Sequence, residues 1–145
     1  RIMLRHANPN LSREDMAQLL RQHHITPTHQ RIEIAHAMFS RCEHLSADQI
    51  MASVNLRHSE TSKATVYNTL KLFLEKGLIR EVIVDPSRVF YDPNTTPHHH
   101  FFNVETGELT DIHEDAMQLT GLPPLPPGMM TDSVDIIVRI RPTAA

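Results

Sequence analysis

The sequence predicts an α+β chain, an N-terminal winged helix-turn-helix followed by a small α/β dimerisation domain. Three observations carry this. Four capped segments of helical periodicity come first, and two short runs then flank Asp85-Pro86-Ser87 as a hairpin would. A Pro-containing stretch separates this half from the next, giving expected boundaries of 1–92, a hinge at 93–97, and 98–145. Near the end, Val134, Ile136, Val138 and Ile140 alternate with Asp135, Ile137, Arg139 and Arg141, the pattern of a half-buried strand. A second half of roughly 50 residues buries too little surface alone, so it is expected to close its core against a second copy.

Each element has a local reason. Ser12 caps the first helix and Glu14-Asp15 suit its positive end, with Met16, Leu19 and Leu20 as the apolar stripe. His23-His24 falls at its frayed end. Thr26-Pro27 reads as N-cap and first residue of a second helix, burying Ile32, Ile34, Ala35, Met38 and Phe39. Ser46 and Gln49 have capping-box spacing and open a third helix that buries Ile50, Met51 and Val54. Ser62 caps the fourth, whose Val66, Leu70, Phe73 and Leu74 face the core, and Gly77 stops it. Strands are expected over 78–84, 88–91, 101–104 and 109–112, then a short helix over 113–120 and an extended Pro-rich loop over 122–128.

Charge is divided between the halves. Residues 1–80 hold 11 Lys+Arg against 7 Asp+Glu, whereas 81–145 hold 3 against 10. A basic front half suits a phosphate-binding module. No apolar run approaches the ~18 residues of a membrane span. The single thiol, Cys42, excludes an internal disulfide and a Cys₄ zinc site, and a cytoplasmic location is the default. No Gly-rich phosphate loop and no G-x-S-x-G elbow is present.

The chemistry concentrates between Asp92 and Asp111, with His98-His99-His100 between them. In an extended segment His98 and His100 share a face and His99 takes the other. Two imidazoles with two carboxylates make a mixed nitrogen and oxygen site that suits Fe(II), Mn(II) or Zn(II). A solvated polar loop holding three histidines is the competing reading.

Five stretches in order, Thr26-Pro27-Thr28-His29-Gln30-Arg31, His44-Leu45-Ser46-Ala47, Ala64 to Leu70, Glu75-Lys76-Gly77-Leu78-Ile79 and His98-His99-His100, resemble the ferric uptake regulator (Fur) family. The resemblance covers roughly residues 11–121. It implies a dimeric, metal-sensing transcription regulator that binds an inverted-repeat operator in double-stranded DNA. The regulatory metal site would fall on His44, Asp92, His98, His100 and Asp111, and an ion bound by all five would clamp the two halves. DNA contacts would fall on Arg31, Lys63, Thr65, Tyr67, Asn68 and Lys71.

The family's usual CxxC zinc pair would fall at Asn103 and Thr106, so that site is absent, and Pro97 replaces a histidine of a second site. Lacking the zinc pair, the chain looks like the iron response regulator (Irr) branch, which implies haem as the signal, bound by His98, His99 and His100. Cys42 is followed by Glu43, so the Cys-Pro haem motif of some members is missing. The alternative within the family is a peroxide-sensing Fe(II)/Mn(II) repressor. Outside it stand a metal-dependent hydrolase and a structural metal-binding dimer. The chain is read as a regulator, not an enzyme. Individual residues keep plainer alternatives: Tyr67 packs against the wing, Cys42 is a buried inert thiol, and Phe101-Phe102 is core. His23, His24, His36 and His58 have no ligand duty.

Overall fold

The computed structural model describes residues 8, 10–41, 43–56 and 61–144; Cys42 and His58 lie outside them. The chain is α+β, in two compact units, Arg1–Thr95 and Thr96–Ala145.

The first unit holds four helices, α1 (Arg13–Gln22), α2 (His29–Phe39), α3 (Ala47–Asn55) and α4 (Lys63–Glu75), then strands β1 (Arg80–Asp85) and β2 (Arg88–Asp92). Ser12 with Asp15 and Ser46 with Gln49 both close reciprocal capping boxes, so the orphan amides at both helix starts are satisfied. One apolar cluster joins all four helices, with Met16, Leu20, Ile34, Met38, Ile50, Leu70 and Phe73 fully buried. Ile32, Met51 and Leu74 are only partly buried and pack on its rim.

Two helix ends use the same closure. After α4, the Leu78 amide donates to the Phe73 carbonyl at 2.9 Å and the Gly77 amide to Leu74 at 3.1 Å, with Gly77 at φ +71°. After α1, Ile25 donates to Leu20 at 2.9 Å and His24 to Arg21 at 3.0 Å. There the left-handed position is His24, at φ 59°. The expected fraying at His23-His24 is therefore replaced by an ordered cap, held in a conformation that a side chain disfavours.

The second helix starts two residues later than expected. Thr28, not Thr26, is the N-cap and accepts from the Arg31 amide at 3.3 Å. Pro27 restricts Thr26 to extended backbone, so the proline lies outside the helix. The hairpin β1–β2 is antiparallel with a register shift between Ile83 and Asp85, and its turn is held by the Ser87 amide on Asp85 at 2.9 Å.

The second unit is a three-stranded sheet, ordered β4-β3-β5, from β3 (His99–Asn103), β4 (Leu109–Ile112) and β5 (Ile137–Ile140). β3 begins at His99 rather than 101. It pairs antiparallel with β4 and parallel with β5. The expected helix over 113–120 shrinks to a 3-10 turn, Glu114–Ala116. A segment this short before Gly121 and four prolines gains too few hydrogen bonds to offset helix nucleation. The last strand is also shorter than its alternation suggests. Val138 and Ile140 are 36% and 39% exposed in the single chain, so the half-buried face is not covered. Phe102 is buried, but Phe101 is 36% exposed, so only one of that pair is core.

Candidate metal centre and nucleic-acid interface

In the first unit, a single β-bridge does the positioning. The Leu45 amide donates to the Tyr91 carbonyl at 3.1 Å, and the Tyr91 amide returns to Leu45 at 2.8 Å. This ties the residue before the α3 cap to the end of β2. The neighbours on either side, His44 and Asp92, are thereby brought together, with Nε2 to Oδ2 at 3.0 Å. Both are largely withdrawn from solvent, Asp92 almost completely. The other Asp92 oxygen accepts from the Asn94 amide at 2.8 Å, which fixes the carboxylate plane.

The second unit holds a trio. His98 Nε2 lies 3.1 Å and His100 Nε2 3.2 Å from the same Asp111 oxygen. Ladder register places His100 opposite Asp111, and the two rings stand 4.5 Å apart. Both imidazoles are buried, whereas Asp111 is half exposed. His98 Nδ1 is 2.6 Å from the Thr96 carbonyl. A carbonyl only accepts, so Nδ1 carries a proton, and Nε2 is the nitrogen turned toward Asp111. A nitrogen and a carboxylate oxygen 3.1 Å apart need a proton or a metal cation between them. Ligands bound to one ion at ~2.1 Å stand roughly 3 to 3.5 Å apart, the spacing seen here. The donor set therefore fits a divalent ion.

His99 does not join the other histidines. Its Nδ1 accepts from the Ile136 amide at 3.0 Å, so the expected three-histidine haem cluster does not converge. At the positions of the absent CxxC zinc pair, Asn103 accepts from the amides of Glu105 and Thr106 at 2.9 and 3.1 Å. Hydrogen bonds brace this turn. His23 and His36 donate to the Leu19 and Leu11 carbonyls at 3.0 and 2.8 Å.

The helix α4 presents Lys63, Tyr67, Asn68 and Lys71 to solvent, with Thr65 half-buried and hydrogen-bonded to the Ser62 hydroxyl at 2.9 Å. Lys63 sits 5.8 Å over the Tyr67 ring. Thr28, Gln30 and Arg31 at the start of α2 line, with Thr65, Asn68 and Thr69, a groove of about 310 Å³. Arg31 folds back, its guanidinium donating to the Thr26 carbonyl at 2.9 Å. Sequence reasoning missed Thr28 and Gln30 on this face. The late helix start puts them there, and the Thr26-Pro27 misreading concealed it. It also missed Tyr91, whose phenol is pushed above its ordinary 10.0 by burial, then by Glu81 and Tyr67.

Among the described residues no helix is long and apolar enough to cross a membrane. Residues 13–121 match the ferric uptake regulator family as a whole. The peroxide-responsive repressor PerR of Staphylococcus epidermidis (strain ATCC 12228 / FDA PCI 1200) is 30% identical over 100 residues, 69% of this chain and 67% of that protein. PerR of Staphylococcus aureus (strain Mu50 / ATCC 700699) is 32% identical over 99 residues, 68% of this chain and 67% of that protein. Among solved structures, the ferric uptake regulator from Pseudomonas aeruginosa with manganese has the same fold, at TM-score 0.66 and 17% identity, over 89% of this chain and 98% of that one. With a match spanning most of the chain and relatives at this identity, the chain belongs to the ferric uptake regulator family.

Proposed function

We propose that the chain is a metal-dependent transcription regulator that binds DNA as a homodimer, and that one divalent ion held by His44, Asp92, His98, His100 and Asp111 sets its DNA affinity. The observation that carries this is the convergence of two buried imidazole nitrogens, of His98 and His100, on one Asp111 oxygen at 3.1 and 3.2 Å, the spacing of ligands around one ion. The His44–Asp92 pair supplies a further nitrogen and oxygen of the same character. Neutral imidazole and carboxylate together suit Mn(II), Fe(II) or Zn(II). Lys63, Lys71 and Arg31 would meet phosphates, whereas Thr65, Tyr67 and Asn68 would reach base edges. The exposed apolar residues Phe101, Val138 and Ile140 offer a face to a second copy, and two-fold symmetry then implies an inverted-repeat site.

The signal in this reading is peroxide, not haem. The two relatives named above are peroxide-responsive repressors. The buried, closely spaced His98 and His100 favour a bare ion over a macrocycle, and the engaged His99 nitrogen removes the third expected haem ligand. Iron bound here would supply the redox chemistry, and the ligand imidazoles would take up the oxygen.

The test compares protein loaded with Fe(II) and with Mn(II), each exposed to peroxide. Peptides containing His44, or His98 and His100, should gain one oxygen atom by mass spectrometry only in the Fe(II) form, with loss of DNA binding. Unmodified histidines together with unaltered DNA binding would end the peroxide reading. Loss of DNA binding on haem titration instead would restore the haem reading.

A further inference from the structure

We infer that His99 is a positioning residue that fastens β5 to β3 and so holds in place the apolar face on which a second copy docks. The inference rests on the dimer reading above. β5 is only four residues long and most of it is exposed, so little core packing retains it. It follows a long stretch without regular structure, and the entropy of that stretch works against docking its end.

What secures the start of the strand is Ile136. Its carbonyl accepts from the His100 amide at 3.1 Å. Its amide, where the ladder gives out, donates to the His99 ring at 3.0 Å. Two consecutive residues of β3 thus grip both polar groups of one residue, and the imidazole stands in for a ladder carbonyl. With Nδ1 accepting, the ring proton sits on Nε2, so His99 offers this bond rather than a ligand lone pair.

Alternation and register show what the pin supports. His99 and Phe101 share a face of β3, and Phe101 pairs with Val138 of β5, two residues before Ile140. Phe101, Val138 and Ile140 are the exposed apolar residues of that face. His100 and Phe102 occupy the opposite, buried face. The middle histidine of the triplet therefore works on the docking face while its neighbours work on the metal face.

The experiment compares the full chain with His99→Ala and His99→Asn, because the Asn carbonyl oxygen can take the place of Nδ1. Amide hydrogen exchange over residues 136–140, self-association by sedimentation and Mn(II) stoichiometry are measured for each. Loss of one hydrogen bond should speed exchange in His99→Ala by about three- to tenfold and weaken self-association in the same direction, with Mn(II) stoichiometry kept. His99→Asn should return both toward wild type. Unchanged exchange in His99→Ala, or equal damage in His99→Asn, would overturn the inference. Loss of Mn(II) binding in His99→Ala would assign the ring to the metal set and also overturn it. A wild-type chain that never self-associates would sink the dimer reading, and the exchange arm would still decide the pin.

Discussion

At Asp111 one carboxylate oxygen faces two buried imidazole nitrogens, and the site's chemistry follows from that crowding. A cation held between the three groups satisfies both nitrogens and the carboxylate oxygen at once. Asp111→Asn should therefore cost at least the ~10- to 100-fold in metal affinity that loss of an outer-shell partner brings, read by calorimetry with Mn(II). Tyr91 gives a second prediction. Its pKa is raised, burial being the largest cause, so folding disfavours the phenolate. The sign follows: the contribution is intact below the unfolded value, near 10, and is lost as pH rises through the higher folded value. Denaturant midpoints at about pH 8 and about pH 10.5 should fall further apart in wild type than in Tyr91→Phe. The residue types at Asp92, His98, His100 and Asp111 already spell out a nitrogen and oxygen set, so those were legible. Tyr91 and His99 were not, because their roles depend on which backbone lies beside them.

Helices were legible where side chains cap them locally, as Ser46 and Gln49 do. Two errors share a cause. Thr26-Pro27 has the residues of a helix start and 113–120 the propensity of a helix, but local propensity does not include the backbone around it. In the first case the Thr28 hydroxyl reaches the third amide of α2, and in the second the segment is too short to nucleate. The cap after α1 was missed because nothing in His24 signals a left-handed residue. It yields a third prediction: His24→Gly should relieve the strain at φ 59° and stabilise the chain by up to about 1 kcal/mol, seen as a higher denaturant midpoint. Ser46→Ala should cost about 1 kcal/mol by the same measurement, and it loosens the cap next to His44.

At the scale of the whole molecule, the basic front half and acidic rear half suit a chain that offers DNA one of its two units. The α+β order was legible in the sequence, but the exposed face of the second unit was not. Alternation says that a strand has an apolar face and cannot say whether this chain or another covers it. In the proposed function, metal and DNA are linked, so each must raise the affinity of the other by one factor. The most direct test titrates Mn(II) into the chain with a duplex selected from random sequence by the Mn(II)-loaded protein, at fixed salt, following fluorescence anisotropy. The predicted result is DNA affinity that rises and saturates at one Mn(II) per chain, with His44→Ala and His98→Ala both failing to respond. Equal affinity in Mn(II) and in chelator, or a full response in both variants, would contradict it.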